Sequence, residues 1–121
     1  MGLAVSAILG VFLRYGIDSY FPVSSPLTFP WHTLGINVLG SFMIGVLFVL
    51  ASEKGLIGEN LRLILTTGLL GSFTTFSAFS IQNVLLIQEG RWGLAILYAV
   101  ASVVAAIAAT FCAVTLSRQF F

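Results

Sequence analysis

The sequence predicts an all-α integral membrane protein: one transmembrane domain over residues 1–121, with four helices and a break near residues 71–75 in the third. Three observations predict it. The residues AVILMFWYC make up 59% of the chain against 7% charged, and mean hydropathy is +1.09. An ordinary globular domain is about 25% charged and no more than ~50% apolar. A soluble fold of this length has too little interior for the excess, and disorder requires the opposite composition. Second, the apolar residues gather into four runs near the ~20 residues that cross ~30 Å of hydrocarbon. Third, glycine and hydroxyl residues crowd the middle of the third run, where a lipid-facing helix would be Leu and Val.

Segment one covers about residues 2–17. It lacks a basic stretch before its apolar run and a small-residue cleavage site after it, so it is expected to be a retained helix and not a signal peptide. Arg14 lies near its end with Asp18 four residues on. This is either a snorkelling arginine paired at helical spacing or a positive potential at a vestibule. The next stretch holds Pro22, Ser24, Ser25, Pro26, Thr28 and Pro30, a loop outside the hydrocarbon. His32 sits beside Trp31 at the membrane boundary, has no neighbour at metal-ligand spacing, and reads as interfacial.

Segment two covers about 34–51 and carries Asn37 one turn in. Its amide offers two donors, either to an anion or to a neighbouring helix. Ser41 and Gly45 form a small-xxx-small pair that suits close helix approach. The second loop, Ser52 to Asn60, holds Glu53, Lys54, Gly55, Gly58 and Glu59.

Segment three covers about 61–87 and contains Thr67-Gly68-Leu69-Leu70-Gly71-Ser72-Phe73-Thr74-Thr75-Phe76-Ser77-Ala78-Phe79-Ser80. The glycines lower helix propensity, and Ser or Thr can cap a helix restarted after a break. Backbone freed at mid-membrane must line a cavity or be buried in protein, and such breaks mark ion or substrate sites. The alternative is an unbroken helix with a small, close-packing face. Phe76 and Phe79 share a face if the second half is helical, and Gln82 and Asn83 continue it. Such a stripe packs against lipid or core, or its electropositive ring edges meet an anion.

Segment four covers about 93–116, after a short loop from Gln88 to Arg91 with Glu89 at a solvated end. Ala101, Ala105, Ala109 and Ala113 make a small-residue stripe, and Tyr98 and Ser102 are hydroxyls four apart. Cys112, the only cysteine, reads as a small apolar packing residue. Trp31, Trp92, Tyr15 and Tyr20 fall near segment ends, where interfacial aromatics belong.

Charge placement narrows the function. Four spans put Lys54, Arg62 and Arg118 on one side, against Arg14 and Arg91 on the other. That bias fits either one weakly preferred orientation or insertion both ways. Asp18, Glu53, Glu59 and Glu89 all fall at segment ends or in loops, so no acidic pair lies inside the bilayer. No hydrolase triad, HExxH or P-loop is present, so no enzyme is expected. Without a basic cluster, nucleic acid is not an expected partner.

Arg14-Tyr15, Thr33-Leu34-Gly35-Ile36-Asn37 with Gly40-Ser41 and Gly45, and Gly71 through Ser80 together resemble the small fluoride channels of the Fluc/CrcB family. The resemblance covers nearly the whole chain. It implies an antiparallel, dual-topology homodimer that passively exports fluoride and relieves its toxicity. It also implies two pores and a structural sodium ion on the two-fold axis, held by the backbone carbonyls of Gly71 and Thr74. Asn37, Phe76 and Phe79 correspond to pore residues, Thr75, Tyr98 and Ser102 to a polar track, and Arg14 to a vestibule arginine. Some members pair with a second, oppositely oriented subunit, and a bacterial inner membrane is implied.

The chain departs from the family pattern at Ser72, Ala78, Gln82, His32 and Ala106. Gln82 stands where Glu is frequent and His32 where Gly is usual, while Ala106 lacks a hydroxyl of the track. Two other classes fit four short helices: a small multidrug-resistance-type proton antiporter and a structural subunit of a membrane complex. The antiporter needs a carboxylate deep in its first helix, and segment one has none before Asp18.

Overall fold

The computed structural model describes residues 1–20 and 29–121, so Pro22, Ser24, Ser25, Pro26 and Thr28 of the predicted loop lie outside the described residues. Helix α1 is Gly2–Tyr20 and α2 is Trp31–Phe48, which runs on through wider π-type turns over Val49–Glu53. A short α3 (Glu59–Leu63) passes into a second π stretch, Ile64–Leu70, then α4 (Gly71–Phe73) and α5 (Phe76–Gln88). Helix α6 is Trp92–Phe120. These make four stretches long and apolar enough to cross a membrane, Gly2–Tyr20, Trp31–Glu53, Glu59–Gln88 and Trp92–Phe120. The chain is a multi-pass membrane protein.

Each helix outruns its apolar segment. Asp18 and Tyr20 lie inside α1, His32 and Thr33 in the first turn of α2, and Arg118 in the last turn of α6. The apolar run measures the hydrocarbon, whereas helical hydrogen bonds continue into the interface until a breaker stops them. Pro30 caps α2, and Gly55 (φ 64°) and Gly90 (φ 76°) turn the chain in the two short connections through the left-handed region that glycine tolerates. The polar connections are correspondingly shorter than predicted: Ser52 and Glu53 belong to the π turns, and Glu59 and Asn60 to α3.

Along α1 the apolar side chains face outward and the small ones inward, the reverse of a soluble bundle. On α1 the buried residues are Ser6 and Gly10, while Leu3, Ile8, Phe12 and Leu13 are exposed. That narrow face lies on the third span. A Cβ at Gly10 would run into the Leu69 carbonyl and the Ser72 hydroxyl, and one at Gly68 into the Ser6 hydroxyl. Helices α2 and α6 meet as closely: a Cβ on Gly45 would stand 2.8 Å from both the Thr110 carbonyl oxygen and Ala113 Cβ. Thr110 Oγ1 donates to the Ser41 carbonyl at 2.7 Å across the same contact. With little hydrophobic drive between helices in lipid, such backbone approach and interhelical hydrogen bonding supply the association. Ala113 of the predicted stripe is fully buried here, whereas Cys112 beside it is exposed and does not pack in the chain's interior. It is one position off the inward face. At one end, Arg118 Nε donates to Glu53 Oε2 at 2.8 Å, fastening the end of α6 to the end of α2.

The α1 contact predicts a contrast between two glycines. Gly10→Ala should lower stability by about 1–3 kcal/mol, since the added methyl meets backbone and cannot be absorbed by rotamer change. Gly16→Ala, with nothing within 4 Å, should be neutral or mildly stabilising. Thermal unfolding of the two variants in detergent micelles checks this.

Candidate functional site

The third span changes character where α4 ends. Thr74 (φ −78°, ψ 157°) and Thr75 (φ −148°, ψ 117°) are extended, and helical geometry resumes at Phe76. Two extended residues would leave polar backbone bare, a cost of several kcal/mol per group in hydrocarbon. Asn37 on α2 answers it. Thr75 N–H donates to Asn37 Oδ1 at 2.8 Å, and Asn37 Nδ2 donates to the Thr75 carbonyl at 3.0 Å. One side chain thus pairs with both polar groups of Thr75, as a neighbouring strand would. Of the two predicted uses of this amide, the helix-to-helix bond is made, and one N–H of the Nδ2 group is left over.

Thr75 also caps the restarted helix: its Oγ1 accepts from Ala78 N–H at 3.1 Å and lies 3.3 Å from Ser77 Oγ. Two backbone donors are thereby diverted. In a continuous helix, Thr75 N–H would close on the Gly71 carbonyl and Ala78 N–H on the Thr74 carbonyl. Both donors are spent on side chains, so these two carbonyls are released from the helical ladder. Upstream, Ser72 Oγ donates to the Gly68 carbonyl at 2.7 Å, and Thr74 Oγ1 to the Leu70 carbonyl at 3.0 Å.

A groove of about 430 Å³ opens beside the extended residues. Asn37, Ser41, Gly71, Thr74, Thr75, Phe76, Phe79, Ser102 and Ala106 line it, together with Gly40, Thr66 and apolar neighbours. Phe76 is 77% exposed in the single chain. Its ring centroid lies 5.4 Å from that of Phe79, which in turn is 5.0 Å from Tyr98. Ser102 Oγ is the buried side-chain polar atom that lacks a hydrogen-bond partner among the described residues. Ala106, one turn on, lines the groove with a methyl.

Tyr98 is fully buried but does not line the groove. Its hydroxyl donates to Gln82 Oε1 at 2.7 Å, and Gln82 Nε2 donates to Thr33 Oγ1 at 2.8 Å. This Tyr98–Gln82–Thr33 relay joins α6, α5 and α2. In the sequence Gln82 stands out as a departure and as a continuation of the Phe76–Phe79 face, with nothing to pair it with Thr33; the signal present was Thr33 within the Thr-Leu-Gly-Ile-Asn motif. Phe29 carries no sequence signal of a role either. Its ring stands edge-on to Tyr98 at 5.3 Å and 4.4 Å from Trp31, extending the aromatic series toward the boundary.

A second pocket, about 490 Å³, is lined by Arg14, Asp18, His32, Thr33, Thr75, Ser77 and Gln82, with Ala78 and Ile81. Arg14 reaches it because it follows Ser6 and Gly10 at four-residue steps on the inward face of α1. Asp18 Oδ1 lies 3.9 Å from His32 Nε2 on α2, a contact that is an ion pair only when the imidazole is protonated, whereas helical spacing alone offers Asp18 to Arg14. His32 is 13% exposed. Thr75 lines both pockets. No group of three or more His, Cys, Asp or Glu side chains that could hold a metal occurs among the described residues.

A family model described as CrcB-like protein, Camphor Resistance (CrcB), matches residues 1–114. The "Fluoride-specific ion channel FluC" of Novosphingobium aromaticivorans is 51% identical over 118 residues, covering 96% of this chain and 93% of its own. The protein of the same name from Saccharophagus degradans is 41% identical over 120 residues, 98% of this chain and 89% of its own. The "Fluoride-specific ion channel FluC 2" of Symbiobacterium thermophilum is 44% identical over 95 residues, 78% of this chain and 77% of its own.

Asn37→Ala should unfold more readily than the parent by roughly 2–4 kcal/mol, because it strands the Thr75 N–H and carbonyl together. Gly35→Ala, at an open position on the same helix, serves as the control. Melting temperatures in micelles give the comparison.

Proposed function

The chain belongs to the CrcB family, and from that membership we propose that it is a passive, fluoride-selective ion channel of the bacterial inner membrane that exports fluoride and relieves its toxicity. The observation that carries this reading is the match, over nearly the full chain, to relatives named as fluoride-specific channels. It moves an ion and catalyses no reaction.

The groove supplies chemistry suited to a small, dehydrated anion. Fluoride's water is replaced by the electropositive edges of Phe76 and Phe79, the spare N–H of Asn37, and the hydroxyls of Thr75 and Ser102. The unpartnered Ser102 Oγ, buried at the groove wall, supports its role as a donor to a ligand. Tyr98 acts one step back, backing Phe79 and fixing Gln82. Arg14 draws the anion into the vestibule. Gln82 holds the relay with an amide, which offers no proton to exchange, and the carboxylates lie at span ends. The movement is therefore passive.

The working unit in this reading is an antiparallel homodimer. Phe76 is 77% exposed on an open groove, and a ring that meets a dehydrated ion must be covered, here by a second copy. Near-even basic residues at the two ends permit both orientations, and a paralogous partner would satisfy the same geometry. The released carbonyls of Gly71 and Thr74 fit a sodium ion at the dimer axis: they are neutral, hard oxygen donors, and two copies bring four of them. When bound, sodium supplies a fixed positive charge between the copies. The carbonyls of Gly71 and Thr74 would hold it, the first left free because Asn37 takes the Thr75 N–H and the second because Thr75 Oγ1 takes the Ala78 N–H.

In proteoliposomes the purified protein should release fluoride and exclude chloride; equal chloride flux, or none of fluoride, rejects the selective channel. Phe76→Ile and Phe79→Ile should each slow fluoride release by about tenfold or more, equivalent to ~1.4 kcal/mol at the barrier, while still eluting as dimers. A C-terminal tag should be labelled from both faces of the membrane, and labelling from one face alone rejects dual topology.

A further inference from the structure

We infer that His32, through its protonation state, sets the charge of the vestibule by which the anion reaches the pore; the inference rests on the channel reading above. The second pocket brings Arg14, Asp18, His32, Thr33, Thr75 and Gln82 to one place. Because Thr75 also borders the groove, this pocket abuts the candidate ion path at the residue that Asn37 holds. A charge here acts on the ion just before it leaves water.

The fixed charges in the pocket cancel. Arg14 is cationic and Asp18 anionic, so with a neutral His32 the cluster is formally uncharged, and with imidazolium it carries one positive charge. His32 Nε2 stands 3.9 Å from Asp18 Oδ1, where a proton on the ring directly offsets the carboxylate that would repel an approaching anion. Apart from Arg14, Asp18 and His32 itself, the pocket's lining residues carry no ionisable side chain. Helix α5 brings Gln82 and Ser77, neither ionisable. From α6, the Tyr98 hydroxyl lies behind Gln82, to which it donates. Residues 21–28, which follow α1, include no ionisable side chain. Imidazole is the side chain whose charge ordinarily changes between about pH 5 and 8, which sets the pH range over which the inference is tested.

A single positive charge beside a partly enclosed mouth concentrates anions there. At the effective dielectric of a wet pocket the gain in access rate is about two- to fivefold. His32 is thus a determinant of rate placed outside the pore, and Asp18 is its counterweight.

The experiment is fluoride release from proteoliposomes at symmetric pH between about 5.5 and 8, with leak through protein-free vesicles subtracted at each pH. The intact protein should conduct about two- to fivefold faster at the acidic end, and the difference should shrink in ~1 M impermeant salt. His32→Gln should give a flat profile near the alkaline level, and Asp18→Asn should raise flux at pH 8. A flat profile in the unaltered protein, an unchanged profile in His32→Gln, or an alkaline flux indifferent to Asp18→Asn overturns the inference. If His32→Gln does not assemble, the salt and Asp18→Asn arms decide it. Absence of fluoride flux at every pH rejects the channel itself, a distinct outcome from flux that ignores His32.

Discussion

Two hydrogen bonds between one amide and one peptide underlie much of the site. A membrane span can leave the helix only where its freed backbone groups find partners, because hydrocarbon offers none. Asn37 meets that condition at Thr75. Once Thr75 is held extended, its hydroxyl is placed to cap α5 through Ala78 N–H. The start of α5 then fixes the positions of Phe76 and Phe79. The same two diversions release the Gly71 and Thr74 carbonyls. Cap, rings and free carbonyls are consequences of one contact between residues 38 positions apart in the chain.

The legible and the illegible parts of the fold divide along a physical line. Hydropathy locates four spans, because transfer into hydrocarbon is a property of each segment by itself. The crowding of glycine and threonine around residues 67–75 points to unusual backbone, and Gly10, Gly45 and Gly68 do lie where backbones nearly touch. Rotation of each helix about its axis is less legible. When nearly every face is apolar, the 3.6-residue period carries little signal, so the facing partners stay open. Spacing offers Asp18 to Arg14, yet Asp18 faces His32 across to α2. Tyr98 reads as a hydroxyl for the ion, yet it donates to Gln82. The π turns over Ile64–Leu70 leave no pattern either. Thr66 Oγ1 bonding back to the Arg62 carbonyl accompanies them, and threonines make that bond in ordinary helices as well.

The resemblance supplies candidate residues that spacing alone does not, and the structure gives their arrangement. Asn37, Thr75, Phe76, Phe79 and Ser102 come together along one groove, while Arg14 stands at the neighbouring pocket that shares Thr75. The departures are informative in the same way. Gln82 makes both of its hydrogen bonds with an uncharged amide, so no carboxylate enters the three-helix relay.

The separation of Asn37 from Thr75 in the chain has a consequence for biosynthesis. A polypeptide enters the bilayer from its N-terminus onward, so α2 is laid down before the third span emerges. The partner for the unwound peptide is then already waiting in lipid when Thr74 and Thr75 arrive. Had the amide stood on α6, the bare N–H and carbonyl would have had to wait for the last span, exposed to a solvent that cannot bond them. Chain order here works as a chaperone would, presenting the remedy before the defect.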